Sequence, residues 1–319
     1  MRHRLRRRAR LRGRIHDFFA RRDVIEVETP ALSGAGVTDP HIHSFITRYQ
    51  GPGPRYGDTL YLQTSPEFPM KRLLAAGSGS IYQFARVFRN GEAGRLHSPE
   101  FTLLEWYRVG FDHHQLMDEV AELVLELLVG RYGDELPQER LSYRELFRQH
   151  LGLDPLRAMP DELRATAHAH NMPIPAGMDL QRAQPWLDML LTHCLEPGLG
   201  RGRLTFVYDY PIAQAALARI RPDDPPVAER FELYLEGIEL ANGFHELTDP
   251  IEQGRRFEQE NRRRSLLGLP TVPIDGRLLE ALAHLPACSG VALGFDRLCM
   301  LEIGALELDA VLPLPFDQS

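Results

Sequence analysis

The chain has 319 residues, of which 43% are hydrophobic and 25% are charged, and its formal net charge is −7. This composition is ordinary for a globular protein with ample core for one large or two ordinary domains. The negative net charge argues against general binding to polyanions. No apolar run approaches the roughly 20 residues of a membrane span, no signal peptide pattern is present, and three widely spaced cysteines form no disulfide or zinc pattern. We therefore expect a cytoplasmic protein without membrane contact.

The N-terminal segment is strongly basic, since eight of the first fourteen residues are arginine. Apolar residues then recur at helical spacing, which predicts an amphipathic helix over Arg10–Arg22. Its arginines form either an ordinary solvated helix face or a docking patch for an acidic protein or RNA. The alternating residues Val24–Thr29 (VIEVET) then predict a strand that stops at Pro30.

The next region is rich in loops, because Ser33–Gly57 is punctuated by glycine and proline. His41 and His43 lie close together there, but no third ligand is nearby, so we do not expect a metal site. A short strand at Leu60–Gln63 and a helix at Phe68–Ala76 follow.

Two further strands, Ile81–Phe88 and Phe101–Tyr107, are predicted on either side of a polar loop with two glycines. The two-residue period of a strand places Arg89 at one end of a common face, and Glu105 with Tyr107 at the other. A planar guanidinium is well matched to phosphate oxygens, and a carboxylate beside a phenol suits an amino group. The alternative is a hairpin whose arginine merely pairs with a glutamate.

The rest of the chain supplies the fold class. Asp112 begins a helix that we expect to end at Gly130, and a capping box at Ser142 begins another. Short helical segments broken by proline and glycine indicate a small helical insertion at about 151–202. Strands then return and are followed by helices. This order predicts a single α+β domain over residues 1–319, with a mainly antiparallel sheet flanked by helices.

Two more clusters carry chemistry. Glu239 and Glu246 are seven residues apart, so on an unbroken strand they would face opposite sides. A bend or bulge at Asn242-Gly243 would bring both carboxylates to one site, where they would suit Mg²⁺; the alternative is an Asn-Gly hairpin turn. In the segment Gly294–Arg297, glycine at a strand end allows close backbone approach, and Arg297 opens a helix that points into the same region. The alternative is a helix N-terminus that is capped by Asp296, with Arg297 on the surface.

These clusters, in this order, resemble the three signature motifs of class II aminoacyl-tRNA synthetases, most closely the lysyl type. The first motif resembles the opening helix with residues 24–30 (VIEVETP), the second resembles residues 88–101, and the third resembles residues 290–297 (GVALGFDR). Residues 65–67 (SPE) and 239–246 (ELANGFHE) also match. The resemblance implies a class II synthetase-like catalytic domain, a homodimer formed through the first motif, and formation of an acyl-adenylate from ATP.

The resemblance also implies residue roles by motif position. Arg89 and Arg297 would be catalytic, Phe101 and Arg297 would sandwich the adenine, and Glu239 and Glu246 would hold Mg²⁺. The residues expected to bind ATP are Arg89, Asn90, Gly91, Glu92, Ser98, Phe101, Glu239, Leu240, Gly294 and Arg297. Those expected to bind the substrate amino acid are Ser65, Pro66, Glu67, Glu105, Tyr107 and Glu246.

Some positions depart from the synthetase pattern. Gly91-Glu92 stands where the family usually has glutamate directly after Arg-Asn, and Ser98 replaces a common asparagine, which affects the expected adenine contacts. The first motif begins almost at Met1, so we do not expect the anticodon-binding β-barrel of lysyl-tRNA synthetases. With residues 105–107 (EWY) and Ala292, the chain resembles shortened relatives, the elongation factor P–(R)-β-lysine ligases. This implies that (R)-β-lysine, or lysine, is activated with ATP and transferred to a lysine of elongation factor P, without tRNA.

Three other functions are weighed against this one. A tRNA-charging lysyl enzyme reduced to its catalytic core is supported only by the basic N-terminus. An ammonia-dependent asparagine synthetase of the same fold is disfavoured by Glu67 and Glu105, because an aspartate side chain would need arginine. A non-catalytic regulatory paralogue is disfavoured because four expected site residues are intact, namely Arg89, Glu239, Glu246 and Arg297.

Overall fold

In a computed structural model of the chain, the described residues are 2–53, 55, 57–133, 136–175 and 177–318. The predicted domain of residues 1–319 therefore has its two terminal residues outside the described part. The α-helices of the described residues are α1 (Arg2–Ala20), α2 (Glu67–Ala75), α3 (His113–Tyr132), α4 (Tyr143–Leu151), α5 (Pro160–Ala169), α6 (Ala183–Leu190), α7 (Pro250–Leu266), α8 (Gly276–Leu282) and α9 (Phe295–Ile303).

The strands form one large and one small sheet. They are β1 (Ile25–Glu26), β2 (Leu32–Ser33), β3 (Ile46–Arg48), β4 (Thr59–Leu62), β5 (Ile81–Phe88), β6 (Glu100–Val109), β7 (Gln138–Ser142), β8 (Leu204–Pro211), β9 (Ile220–Arg221), β10 (Val227–Leu235), β11 (Ile238–His245) and β12 (Cys288–Gly294). The large sheet has the order β1-β5-β6-β12-β11-β10-β8-β7, with β9 beside β10, and the small sheet is β2-β4-β3.

The large sheet is mainly antiparallel, as the order of elements predicts. In its described strands only the two outer pairs, β1 with β5 and β7 with β8, run parallel. Helices α1, α3 and α9 bury their apolar stripes against one face of this sheet, where Phe19, Val124 and Leu298 pack with Trp106 and Leu293. The opposite face of the central strands is left to form a cleft.

Several boundaries differ from the predicted ones. Helix α1 begins at Arg2 rather than Arg10, because its inner arginines bind carboxylates of α9 and so fold back onto the protein. The strand predicted over Val24–Thr29 is reduced to two residues at the sheet edge. Helix α3 passes through Gly130 and ends at Tyr132, with Gly133 as its C-cap. The capping boxes at Asp112 and Ser142 are present.

The segment predicted as a helical insertion contains short helices. Helices α5 and α6 pack with α4 in a second apolar cluster around Trp186 and Phe147, which rests on β8 and β10 through Tyr210 and Tyr234. These helices therefore support the far end of the sheet, away from the arginine motifs.

Candidate active site

The open face of the central strands forms the floor of a cleft with a volume of about 1290 Å³. Strands β6, β11 and β12 supply its floor, α2, α7 and α8 contribute to one side, and the loop after β5 contributes to the other. Of the residues predicted to bind ATP or the amino acid, most line this cleft: Ser65, Glu67, Arg89, Glu92, Ser98, Phe101, Glu105, Tyr107, Glu239, Leu240, Glu246, Gly294 and Arg297.

A β-bulge in β11 decides which side chains reach the cleft. Leu233 of β10 pairs with Ala241, whereas the next residue, Tyr234, pairs with Glu239. Leu240 is thus the extra residue, and it reverses the alternation of side chains. Glu239 therefore shares a face with Glu246 despite their odd separation.

The expected bulge is therefore present, but at Leu240 rather than at Asn242-Gly243. The alternative Asn-Gly hairpin turn is wrong, because Asn242 lies inside β11 and pairs with residues on both neighbouring strands. The turn between β10 and β11 is made instead by Glu236 and Gly237, which both have positive φ.

The inner end of the cleft is a buried carboxylate pocket around Glu105, which is 2% exposed. The Ser65 hydroxyl donates to Glu105 Oε2, and the Tyr107 hydroxyl donates to Glu105 Oε1, each at 2.8 Å. Burial, reinforced by the Glu67 carboxylate, raises the pKa of Glu105 to about 8. Glu105 and Tyr107 thus face the cleft as the strand period predicts.

Lys71 joins two more carboxylates in this pocket. Its Nζ lies 2.7 Å from Glu67 Oε1 and 2.5 Å from Glu246 Oε2. Burial disfavours the ammonium form, but Glu246 and Glu67 outweigh it and raise the pKa of Lys71. Burial raises the pKa of Glu246 to about 7, against the opposing effect of Lys71. Glu246 Oε1 has no hydrogen-bond partner among the described residues.

Glycine at position 290 lets these groups approach the floor of the cleft. A Cβ at Gly290 would lie 2.2 Å from Tyr107 Cε1 and 2.5 Å from Glu246 Oε1, so any larger residue would displace the pocket. A Cβ at Gly294 would make only ordinary contacts, at 3.4 Å or more. In the third motif, packing within the protein thus requires glycine at position 290 but not at position 294, where the close approach of a nucleotide stays a prediction.

The outer end of the cleft holds Arg89 and Arg297. Arg89 donates from Nε to the Thr64 carbonyl at 3.3 Å, and its guanidinium lies 5.1 Å from the ring centroid of Phe101. Its nearest carboxylate oxygen, on Glu92, is 3.7 Å away. Its charge is therefore only lightly engaged and is available to a phosphate.

Arg297 is held in a similar way. It donates from Nη1 to the Glu239 carbonyl at 2.6 Å, while the Glu239 carboxylate is 3.5 Å away. Asp296 does not cap α9; it is 2% exposed, accepts from the Thr102 amide at 2.7 Å, and pairs with Arg8. The predicted alternative of a surface arginine behind a capping aspartate is therefore wrong.

Some cleft residues were missed by the sequence analysis. Arg230 and Glu232 form an ion pair on the floor, where Glu232 accepts from the hydroxyls of Tyr210 and Tyr234, at 2.7 and 2.5 Å. Arg230 also donates to Asn242 Oδ1 at 3.2 Å. The alternation of polar residues in β10 was a usable signal, because Arg230, Glu232 and Tyr234 share one face.

Two predicted ATP contacts lie at the rim. Asn90 and Gly91 form an exposed turn and are not among the cleft-lining residues; the Asn90 amide donates to the His43 carbonyl at 2.7 Å. Pro66 is the N-cap residue of α2 and positions Glu67 rather than lining the cleft. Their roles toward substrates stay predictions.

One cluster with metal-ligand chemistry lies outside the cleft in the described part of the chain. Ligand atoms of His113, Glu229 and His245 lie within 4.8 Å of one another. However, His245 Nδ1 is 2.6 Å from Glu229 Oε2, and Arg221 is 3.9 Å from Glu229 Oε1. Positive charge is thus already supplied, and we interpret the cluster as a structural ion-pair network.

Among the described residues, no helix combines the length and the apolar composition that a membrane span would need.

Comparison with known proteins agrees with this geometry. Residues 1–318 match the family of class II tRNA synthetases (D, K and N). The chain is 54% identical over 309 residues to an elongation factor P–(R)-β-lysine ligase of Yersinia enterocolitica. The aligned region covers 97% of this chain and 93% of the relative. Proteins of the same name from Vibrio vulnificus and Vibrio cholerae are each 52% identical, over 98% and 99% of this chain and 95% and 96% of theirs. The chain therefore belongs to the class II tRNA synthetase family, among the relatives named elongation factor P–(R)-β-lysine ligases.

Proposed function

We propose that this protein activates (R)-β-lysine with ATP as an acyl-adenylate and transfers the acyl group to the ε-amine of a lysine on elongation factor P. The observation that carries the proposal is the distribution of charge along the cleft. Two lightly engaged arginines lie at its outer end, and a buried carboxylate pocket lies at its inner end. The names and high identity of the relatives agree with this assignment.

The arrangement of charges supplies the chemistry of the first step. The substrate carboxylate attacks the α-phosphorus of ATP, and pyrophosphate leaves. Arg89 is positioned to neutralise charge on the phosphoryl oxygens as it develops, and Phe101 offers a face on which the adenine stacks. Holding both reactants in one cleft removes most of the entropic barrier to their encounter.

The inner pocket suits a substrate with two amino groups. Glu67, Glu105 and Glu246 surround the space, and Lys71 offsets only part of their charge. An ammonium group of the substrate displaces the proton that Glu105 holds and binds the free oxygen of Glu246. The carboxylate of the substrate then points toward Arg89 and the α-phosphate.

ATP-dependent adenylation normally uses Mg²⁺, which shields the phosphates when it is bound; Glu239 of β11 and Glu246, directly after β11, are the residues predicted to hold it. Glu239 fits this role, since its partly exposed carboxylate lies at the arginine end and carboxylate oxygens are the ligands Mg²⁺ prefers. Desolvation and the neighbouring Glu232 raise the pKa of Glu239, so a cation there would be favoured. Glu246 has its charge balanced by Lys71 and is the weaker of the two predicted ligands.

The protein substrate would be a translation factor, so we place the reaction in the cytoplasm. We also propose a homodimer, as the resemblance of the first motif implies. Strand β1 is the outermost strand of the large sheet, and its Ile25 is 55% exposed beside α1. A second copy would cover this edge, and sedimentation analysis of the full chain tests the assembly.

Pyrophosphate exchange tests the activity. We expect exchange that depends on (R)-β-lysine and is weaker with lysine, followed by a mass increase of elongation factor P when all components are present. Exchange with neither isomer would contradict the proposal and favour a regulatory paralogue. Efficient charging of tRNA with lysine would instead favour the synthetase alternative.

A further inference from the structure

Lys71 is the only lysine in the chain, which has 36 arginines. Position 71 therefore carries an ammonium group, whereas the other permanently positive side chains of the protein carry guanidinium groups. Arginine presents a broad planar fork, whereas lysine presents a compact point charge on a flexible stem. A site that accepts only the smaller head group would explain why lysine is retained here.

The geometry of Lys71 supports this explanation. Its side chain is 1% exposed, and Nζ lies between Glu67 Oε1 and Glu246 Oε2 at 2.7 and 2.5 Å. These carboxylates come from different elements, α2 and the end of β11, so the ammonium joins two walls of the pocket. A guanidinium would have to push the two walls apart.

The same contacts leave acceptors for a ligand. Glu246 uses Oε2 for Lys71, while Oε1 has no hydrogen-bond partner among the described residues although Glu246 is only 2% exposed. A buried unpaired carboxylate oxygen is costly unless a ligand or water satisfies it. It lies beside the floor at Gly290 and faces into the cleft.

We propose that Lys71 is a positioning residue that makes the pocket selective for a diamino acid: it holds Glu67 and Glu246 together so that their remaining oxygens receive a substrate amino group. This deepens the proposed function and rests on it. Without the ammonium, the two carboxylates would repel each other and would no longer be held together. The other titratable groups facing this pair are Glu105 and Tyr107 on β6, His245 on β11 and Cys288 on β12.

A single lysine permits a direct measurement on the unaltered protein. Growth with lysine labelled by ¹³C at the ε-carbon gives one side-chain signal, that of Lys71. We expect (R)-β-lysine to shift this signal, and 3-aminohexanoate, which is β-lysine without its terminal amine, to leave it in place. An equal response to both compounds, or to neither, would overturn the proposal.

Variants test the role in selectivity. For Lys71→Met we expect the KM for (R)-β-lysine in pyrophosphate exchange to rise about tenfold or more, with the KM for ATP changed less than about twofold. Lys71→Arg should fail to restore the KM. The matched control is Arg264→Met, which removes a buried helix cation that is not among the cleft-lining residues and should leave the ratio of the two KM values unchanged.

The outcomes separate the two proposals. An unchanged KM for (R)-β-lysine in Lys71→Met, or full activity in Lys71→Arg, would contradict the role of Lys71 while leaving the proposed function intact. If the wild-type protein shows no exchange with (R)-β-lysine, the proposed function fails. The role of Lys71 is then decided by whether its signal distinguishes lysine or ornithine from their monoamino counterparts.

Discussion

The two ends of the cleft hold their charges in different ways. At the outer end, the side chains of Arg89 and Arg297 are 26% and 21% exposed, and their short contacts are to backbone carbonyls and, for Arg297, to the His97 ring. At the inner end, Glu105, Lys71 and Glu246 are at most 2% exposed and contact charged or hydroxyl groups at 2.5–2.8 Å.

This difference separates recognition from chemistry. The inner pocket is organised before the substrate arrives, so it selects by charge and shape at little entropic cost. The arginines are oriented mainly by uncharged groups, and their nearest carboxylate oxygens lie 3.7 Å from Arg89 and 3.5 Å from Arg297, so they can transfer to phosphate oxygens without breaking a short ion pair. Changes at the outer end should therefore reduce the rate, whereas changes at the inner end should alter selectivity, pH dependence and stability.

The largest effect is expected from Arg89→Ala. Loss of the guanidinium removes the charge that stabilises the reacting phosphoryl group, so pyrophosphate exchange should fall about 10³-fold. Circular dichroism and thermal unfolding should stay close to those of the wild-type protein, because Arg89 makes few structural contacts. Arg86→Ala is the control: Arg86 lies three residues earlier, on β5, is exposed and pairs with Glu100, so activity should persist. Normal pyrophosphate exchange in Arg89→Ala would contradict the proposed difference in role between the two ends of the cleft.

A smaller loss is expected from Glu246→Gln. The amide keeps the shape of the carboxylate but cannot bind an ammonium group as strongly, and it leaves Lys71 only one carboxylate. We expect kcat/KM for (R)-β-lysine to fall about 10²-fold, chiefly through KM. Steady-state exchange measures this, with Glu236→Gln in the exposed β10–β11 turn as the control. An unaltered KM would remove Glu246 from the substrate pocket.

Glu105→Gln should lower the activity and raise the stability of the fold. The pKa of Glu105 in the folded protein, about 8, lies above its ordinary value of 4.5. The neutral acid therefore stabilises the fold fully below about pH 4.5, and this contribution is lost as the pH rises through about 8. We expect the free energy of unfolding of the variant to exceed that of the wild type by on the order of 2 kcal/mol at pH 8, and by little at pH 5.

Urea unfolding at the two pH values measures the difference, and exchange should show a raised KM for the amino acid. Glu119→Gln is the control, because Glu119 is also buried but accepts from the Trp106 indole on the opposite side of β6. It should leave the KM unchanged. A stability difference that does not depend on pH would contradict the assigned protonation of Glu105.

The smallest effect is expected at the N-terminal helix, where the structure divides the arginines into two groups. Arg7, Arg8, Arg10 and Arg14 bind groups on α9 and α3, whereas the exposed Arg2, Arg4, Arg6 and Arg12 make no ion pair among the described residues. Arg12 already lies over the ring of Phe84, so Arg2, Arg4 and Arg6 are the arginines most available for docking.

Replacing Arg2, Arg4 and Arg6 by glutamate should weaken binding of elongation factor P about threefold to tenfold, more at low salt, because such rim charges act over the screening length. Surface plasmon resonance at two ionic strengths measures this, and adenylation without the factor should be unchanged. Affinity that is independent of both the substitutions and the salt would leave these arginines as a solvated helix face.

The parts that the sequence predicted well are those governed by local periodicity. The two-residue period of β6 placed Glu105 and Tyr107 on the cleft face, and the helix caps at Asp112 and Ser142 were read from their own side chains. The position of the bulge at Leu240 was not predictable, because it depends on pairing with β10, which is set by the whole sheet.

Long-range pairing also explains the other differences. Lys71 showed no signal beyond its rarity, and its partner Glu246 is 175 residues away along the chain. The sequence suggested that Asp296 is a local helix cap. It instead pairs with Arg8 and accepts a hydrogen bond from the Thr102 amide, and only the tertiary fold brings these two residues near. Local patterns therefore predicted where the site lies, while contacts between distant segments determine its charge state.

The burial of Lys71 also concerns the fate of a reactive intermediate. An aminoacyl-adenylate that escapes into solution acylates the primary amines it meets, and a typical enzyme presents many of them. Here the only lysine side chain is 1% exposed and held as an ammonium, while guanidinium groups stay protonated and unreactive. Apart from its terminal amine, the catalyst thus offers no exposed primary amine to its own product. We expect its intact mass to remain constant over many turnovers, even when no acceptor protein is present.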